Sequence, residues 1–66
     1  MKRADLIADM KKFVGGGGFI TRKLTAEYLG LKDPHSVDRH LNGLERVNGK
    51  YFFIPDVVDE LIDNKG

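Results

Sequence analysis

The stretch "LGLKDPHSVDRHL", residues 29–41, holds three boundary signals in a row. Gly30 is a turn residue, Asp33 is a strong helix N-cap, and Pro34 suits the first helical position, where its missing N–H is harmless. A helix therefore starts at Pro34. Along it Val37, Leu41 and Leu44 recur at i, i+4 and i+7, giving one narrow buried stripe. His35, Ser36, Arg39, Asn42 and Gly43 take the opposite side, with His40 on the flank. The helix thus begins firmly and then loads its solvent side with hydrogen-bonding groups.

Upstream, "TRKLTAEYLG" reads as a helix over roughly 22–29, with Thr21 at its N-cap and Gly30 at its end. Phe19 and Ile20 form a brief apolar strand before it. The chain opens on "KRADLIADMKKFV", residues 2–14, where Leu6, Ile7, Met10, Phe13 and Val14 share an arc of about 120° at 100° per residue. Glycines 15–18 stop that helix. No Gly-Lys-Ser/Thr follows them and no apolar strand precedes them, so they read as a flexible joint rather than a nucleotide loop.

Downstream, "RVNGKYFFI", residues 46–54, places Asn48-Gly49 between two β-prone runs. That is a strong hairpin signal, because both turn positions need positive φ. "IPDVVDELI" then restarts a helix near Pro55, with Val57, Val58, Leu61 and Ile62 as its buried residues, and "DNKG" is a frayed end.

Composition bounds the function. Sixty-six residues make one domain, 1–66, and so short a chain buries only about 60% of the surface its unfolded form exposes. A hydrophobic share of 41% is that of a folded protein. With no cysteine, disulfides, cysteine-bound zinc and thiol catalysis are excluded, and a reducing, cytoplasmic setting is expected. Asp5, Asp9 and Lys11 interrupt any apolar segment that could follow Lys2 and Arg3 as a secretion signal, and no run reaches bilayer-spanning length. Residues 1–54 carry ten Lys/Arg and six Asp/Glu, or +4, whereas residues 55–66 carry one Lys and four Asp/Glu, or −3. Such a basic body can meet a polyanion through one face; an ordinary solvated surface is the other reading.

The order is helix, short strand, helix, helix, two-stranded wing, helix: a mainly α chain with a small β-hairpin. Two short helices joined by a Gly-containing turn, followed by a hairpin, make a winged helix-turn-helix. Over residues 19–62, "ITRKLTAEYLGL…SVDRHLNGL…RVNGKYFFIPDVVDEL" resembles the winged helix-turn-helix domains of the MerR type and of phage and mobile-element excisionases. Thr21 matches as the cap, Ala26 as the small residue at the helix crossing, and Gly30-Leu31 in the turn. Val37 and Leu41 match in the recognition helix, and "NGKYFFIPDVVDEL" in the wing and closing helix. Two features depart. Ala26 to Val37 spans eleven residues, one more than usual, so Lys32-Asp33-Pro34 makes a longer turn; and Thr25 stands where an aliphatic residue is usual.

The resemblance implies double-stranded DNA as the partner, with the third helix in the major groove. Arg39 would donate two bonds to guanine and Asn42 would pair with adenine. His35 and Ser36 would contact a base or a phosphate, while His40 either joins them or covers the edge of the core. Thr21, Arg22 and Lys23 would position the backbone, and Arg46, Asn48 and Lys50 would bring the wing to the neighbouring groove. Asn48 is also required by turn chemistry alone, and an exposed His-Ser-Arg face is often only a solvated one. Asp38 and Glu45 would repel phosphates, so they are expected to point away or to form intramolecular pairs.

Other chemistry finds no foothold. His35 and His40 lie about 140° apart around a helix and cannot share a metal, and no cofactor site is apparent. No nucleophile has a base and an orienting partner, so no enzyme is expected. Asp residues mixed into the polar face of the first helix argue against a membrane surface. The implied role is an excisionase-like architectural factor or a small transcriptional regulator of a prophage or mobile element, with DNA, a second copy or a recombinase as partners. The alternative is a winged-helix protein-interaction module that does not bind nucleic acid.

Overall fold

A computed structural model describes residues 2–63. Asn64, Lys65 and Gly66, expected as part of the frayed end, lie outside the described residues. The elements in chain order are α1 (Arg3–Phe13), β1 (Phe19–Thr21) and α2 (Arg22–Tyr28), then a 3₁₀ turn (Pro34–Val37) that leads into α3 (Asp38–Leu41), and finally β2 (Tyr51–Phe53) and α4 (Ile54–Asp63). The chain is mainly helical with a two-stranded antiparallel sheet.

Local chemistry sets the helix ends. The Thr21 hydroxyl accepts from Leu24 N–H at 3.2 Å and so caps α2. At the other end Gly30 N–H donates to Glu27 O and Leu31 N–H to Ala26 O, the paired bonds of a Schellman closure. That closure needs the positive φ of Gly30, 76°. The Asp33 carboxylate accepts from His35 N–H at 2.9 Å, with Pro34 in the first position beyond it. The buried Thr25, in its aliphatic-type position, donates its hydroxyl to Thr21 O at 2.8 Å and leaves no unsatisfied group.

The sheet corrects the expected hairpin. Asn48-Gly49 does turn the chain, with φ of 56° and 75°, and Val47 and Tyr51 bridge across it. Val47 is the whole first arm, however. β2 pairs instead with β1, in the register Phe19↔Phe53, Ile20↔Phe52 and Thr21↔Tyr51. The cause is burial: this pairing seals Ile20 and Phe52 on one face, each worth about 1.5–3 kcal/mol, whereas Glu45 and Arg46 offer nothing apolar to extend the other arm.

The third helix is also shorter than the expected run from Pro34 to Leu44. Ser36 N–H donates to Asp33 O, and Asp38 N–H to His35 O, so i→i+3 bonds tighten its first turn. One α-helical turn follows before Asn42 and Gly43 leave the helix. Val37 and Leu41 are buried, and Leu44 packs at the core edge.

Met10, Ile20, Ala26, Val37, Leu41, Phe52, Ile54, Val57 and Val58 form the core, with Leu61 and Ile62 partly buried against it. α1 packs on α4, where the Arg3 guanidinium pairs with Asp59 and holds its carboxyl below the ordinary range. Phe13, expected in the buried arc of α1, is 45% exposed and stacks edge-on against Tyr28, with ring centroids 5.2 Å apart. Among the described residues, no helix is long and apolar enough to cross a membrane.

Candidate nucleic-acid interface

Two hollows flank the 3₁₀ turn and α3, and the residues singled out in the sequence divide between them. The first lies between the start of α2, the third helical segment and the Asn48-Gly49 turn, and Thr21, Arg22, Lys23, Arg46 and Lys50 line it together. Its floor is Leu41, at the end of α3, and Phe52, in the middle of β2, both buried. These five residues span thirty positions of sequence. The β1–β2 pairing brings them together, since it sets the turn at residues 48–49 beside the N-terminus of α2.

Among the described residues, four cations face this groove with one carboxylate, Asp38, for a local charge of +3. Lys23, Arg46 and Lys50 are exposed, and among the described residues no carboxylate forms an ion pair with any of them. Two are steadied by aromatic faces. The Arg46 guanidinium carbon lies 5.7 Å from the centre of the Phe52 ring, and Lys50 Nζ lies 5.2 Å from that of Tyr51.

Arg22 is different. Its Nε donates to Asp38 Oδ1 at 2.7 Å and its Nη2 to Asp38 Oδ2 at 3.1 Å, a two-pronged pair between α2 and α3. Nη2 also lies 2.6 Å from His35 Nδ1. The hydrogen bond from Arg22 holds the Asp38 carboxyl below its ordinary value of 3.8, against the opposing effect of desolvation. Asp38 therefore forms the expected intramolecular pair, and its partner is one of the residues expected to meet phosphates.

The second hollow gathers His35, Ser36, Arg39 and His40 with Leu29, Leu31 and Leu61. Arg39, the residue on which direct base readout was expected to rest, lies here rather than in the cationic groove. His40 is half-buried, and its Nδ1 is sealed from solvent with no hydrogen-bond partner among the described residues. Asn42 is exposed at the end of α3, and Asn48 is exposed in its turn; neither lines the groove. Sequence reasoning missed the contributions of Pro34, Asp38 and Gly49 to the groove wall. The Arg22–Asp38 pair joins α2 to α3 across sixteen positions, and its one signal in the sequence was the expectation that Asp38 pairs within the chain.

Among the described residues, no group of three or more His, Asp or Glu side chains is gathered to hold a metal ion. Comparison with protein-family models, curated proteins and solved structures returns no match for this chain.

Proposed function

We propose that this chain is a double-stranded DNA-binding module of the winged helix-turn-helix kind, acting as an excisionase-like architectural factor or a small transcriptional regulator. The observation that carries the proposal is the convergence of Lys23, Arg46 and Lys50, cations without carboxylate partners among the described residues, on one groove beside the third helical segment. The element order supports the same reading. A first helix and a strand precede the two helices, and a tight turn and a second strand follow them, with the two strands paired across the domain.

In this reading the segment from Pro34 to Leu41 enters the major groove. Lys23 and the turn cations Arg46 and Lys50, which line the groove along one flank of it, neutralise phosphates beside it. The phosphate contacts provide affinity and orientation, while base-edge contacts come from the exposed residues of the segment, His35, Ser36 and Arg39. One short segment offers few base contacts, so useful specificity calls for two or more copies along the duplex.

Salt titration of duplex binding, followed by fluorescence anisotropy, tests the proposal. Each phosphate neutralised contributes roughly 0.9 to the slope of log K against log salt. Replacing Lys23, Arg46 and Lys50 together by Ala is expected to remove most of the slope and to weaken binding at every salt concentration. Equal binding by wild type and the triple variant would show that this groove is not the contact surface.

The second reading, a protein-docking module, draws on the other hollow, where Leu29 and Leu31 are 37% and 38% exposed beside Leu61. It predicts no retention on heparin at moderate salt and no response of partner binding to the three cation substitutions.

A further inference from the structure

A carboxylate in the middle of a phosphate-facing groove works against attraction, and Asp38 is the one acidic residue among the described residues that line this groove. Its geometry shows what it does there. Both carboxylate oxygens are engaged by Arg22, through Nε at 2.7 Å and Nη2 at 3.1 Å, and Nη2 is also approached by His35 Nδ1 at 2.6 Å. Two of the three nitrogens of the guanidinium are therefore occupied, and Nη1 makes no hydrogen bond among the described residues. The pair is neither buried nor free: its side chains are 40% and 36% exposed, so water and ligand can reach it.

We propose that Asp38 is a specificity-determining residue of the groove, occupying Arg22 as an internal substitute for phosphate so that this arginine adds nothing to general attraction for nucleic acid. The proposal rests on the DNA-binding reading and deepens it. A guanidinium fork fits a carboxylate and a phosphate equally well. Transferring Arg22 from Asp38 to a backbone phosphate exchanges one two-pronged pair for another and leaves Asp38 bare beside a second negative charge. On random-sequence DNA the exchange gains nothing, so Lys23, Arg46 and Lys50 supply the general attraction alone. A site that places acceptors on Nη1, the unoccupied edge, uses Arg22 where it already lies, held in place by Asp38 and His35. Asp38 thus lowers affinity for random DNA while keeping a fixed donor for a matching sequence.

A simple helix-to-helix staple would show the same contacts but different binding behaviour. The test is the salt dependence of binding to a random-sequence duplex, with thermal melting of each variant as a control for folding. Wild type is expected to show a slope of about −2.7, three contacts at 0.9 each. Asp38→Asn releases Arg22 as a fourth cation; the slope is expected to steepen to about −3.6, with affinity rising about tenfold near 0.1 M salt. Arg22→Gln in the Asp38→Asn background removes the pair without changing net charge, and both slope and affinity are expected to return to wild-type values.

If Asp38→Asn binds random duplex no better than wild type while wild type binds well, Asp38 is only a staple and the inference falls alone. If Asp38→Asn does not fold, the double variant decides: loss of one contact relative to wild type means that Arg22 already touched phosphate, and the inference is wrong. If wild type shows no salt-dependent binding to any duplex, the DNA reading fails and takes the inference with it.

Discussion

The phenol of Tyr28, in α2, donates a hydrogen bond to Asp9 of α1. Burial first, and then that bond and the Asp9 charge, push the Tyr28 pKa from 10.0 up to about 12. The folded state thus favours the neutral phenol. The resulting stabilisation is complete below pH 10 and is lost as pH rises through about 12. In an alkaline absorbance titration Tyr28 should ionise near pH 12, and Asp9→Asn should bring it only part of the way back, because burial remains. Ionisation of Tyr28 at its ordinary value in the folded protein would contradict this packing. The same residue explains why Phe13 misses the core. Its ring is spent on the edge of Tyr28, at the rim where α1 meets α2, rather than beneath α4.

At the scale of elements, backbone turns have definite costs. Gly30 closes α2 at a φ of 76° with open space where a Cβ would stand, so Gly30→Ala meets backbone strain without a steric clash. The expected loss is about 1 kcal/mol. In a domain of this size that is a fall of roughly 4–8 °C in Tm. Gly43 also faces open space but lacks a positive φ, so Gly43→Ala should leave Tm nearly unchanged in the same calorimetric comparison. Equal losses at the two positions would rule out the strain explanation. Signals of this local kind, at Thr21, Gly30, Asp33-Pro34 and Asn48-Gly49, were all present in the sequence, and each end or turn lies where its chemistry requires. Strand partners were not readable in this way. The Asn48-Gly49 turn fixes the direction of the chain but not what β2 pairs with, and the choice of β1 follows from the joint burial of Ile20 and Phe52, thirty-two positions apart. The 3₁₀ start of the third segment was equally hidden, because cap residues look alike before a 3₁₀ turn and before an α-helix.

Over the whole molecule, the net charge of +1 conceals a division. The acidic residues of the closing segment sit on α4, whose apolar side packs on the core and α1, and none of them lines the groove. The groove keeps +3, from Arg22, Lys23, Arg46 and Lys50 against Asp38. Sequence alone indicated a basic body and named all four of these cations. It could not show that Arg22 is already paired, or that Arg39 faces the hollow with Leu29 and Leu31, because both depend on how consecutive helices cross. Backbone amide NMR shifts on addition of a random-sequence duplex give the most direct test of the central claim, that the cationic groove is the DNA contact surface. Perturbations should concentrate at residues 21–23, 35–39 and 46–50 and fade as salt is raised. Perturbations confined to Leu29, Leu31 and Leu61 or to α4, with the groove unmoved, would contradict it.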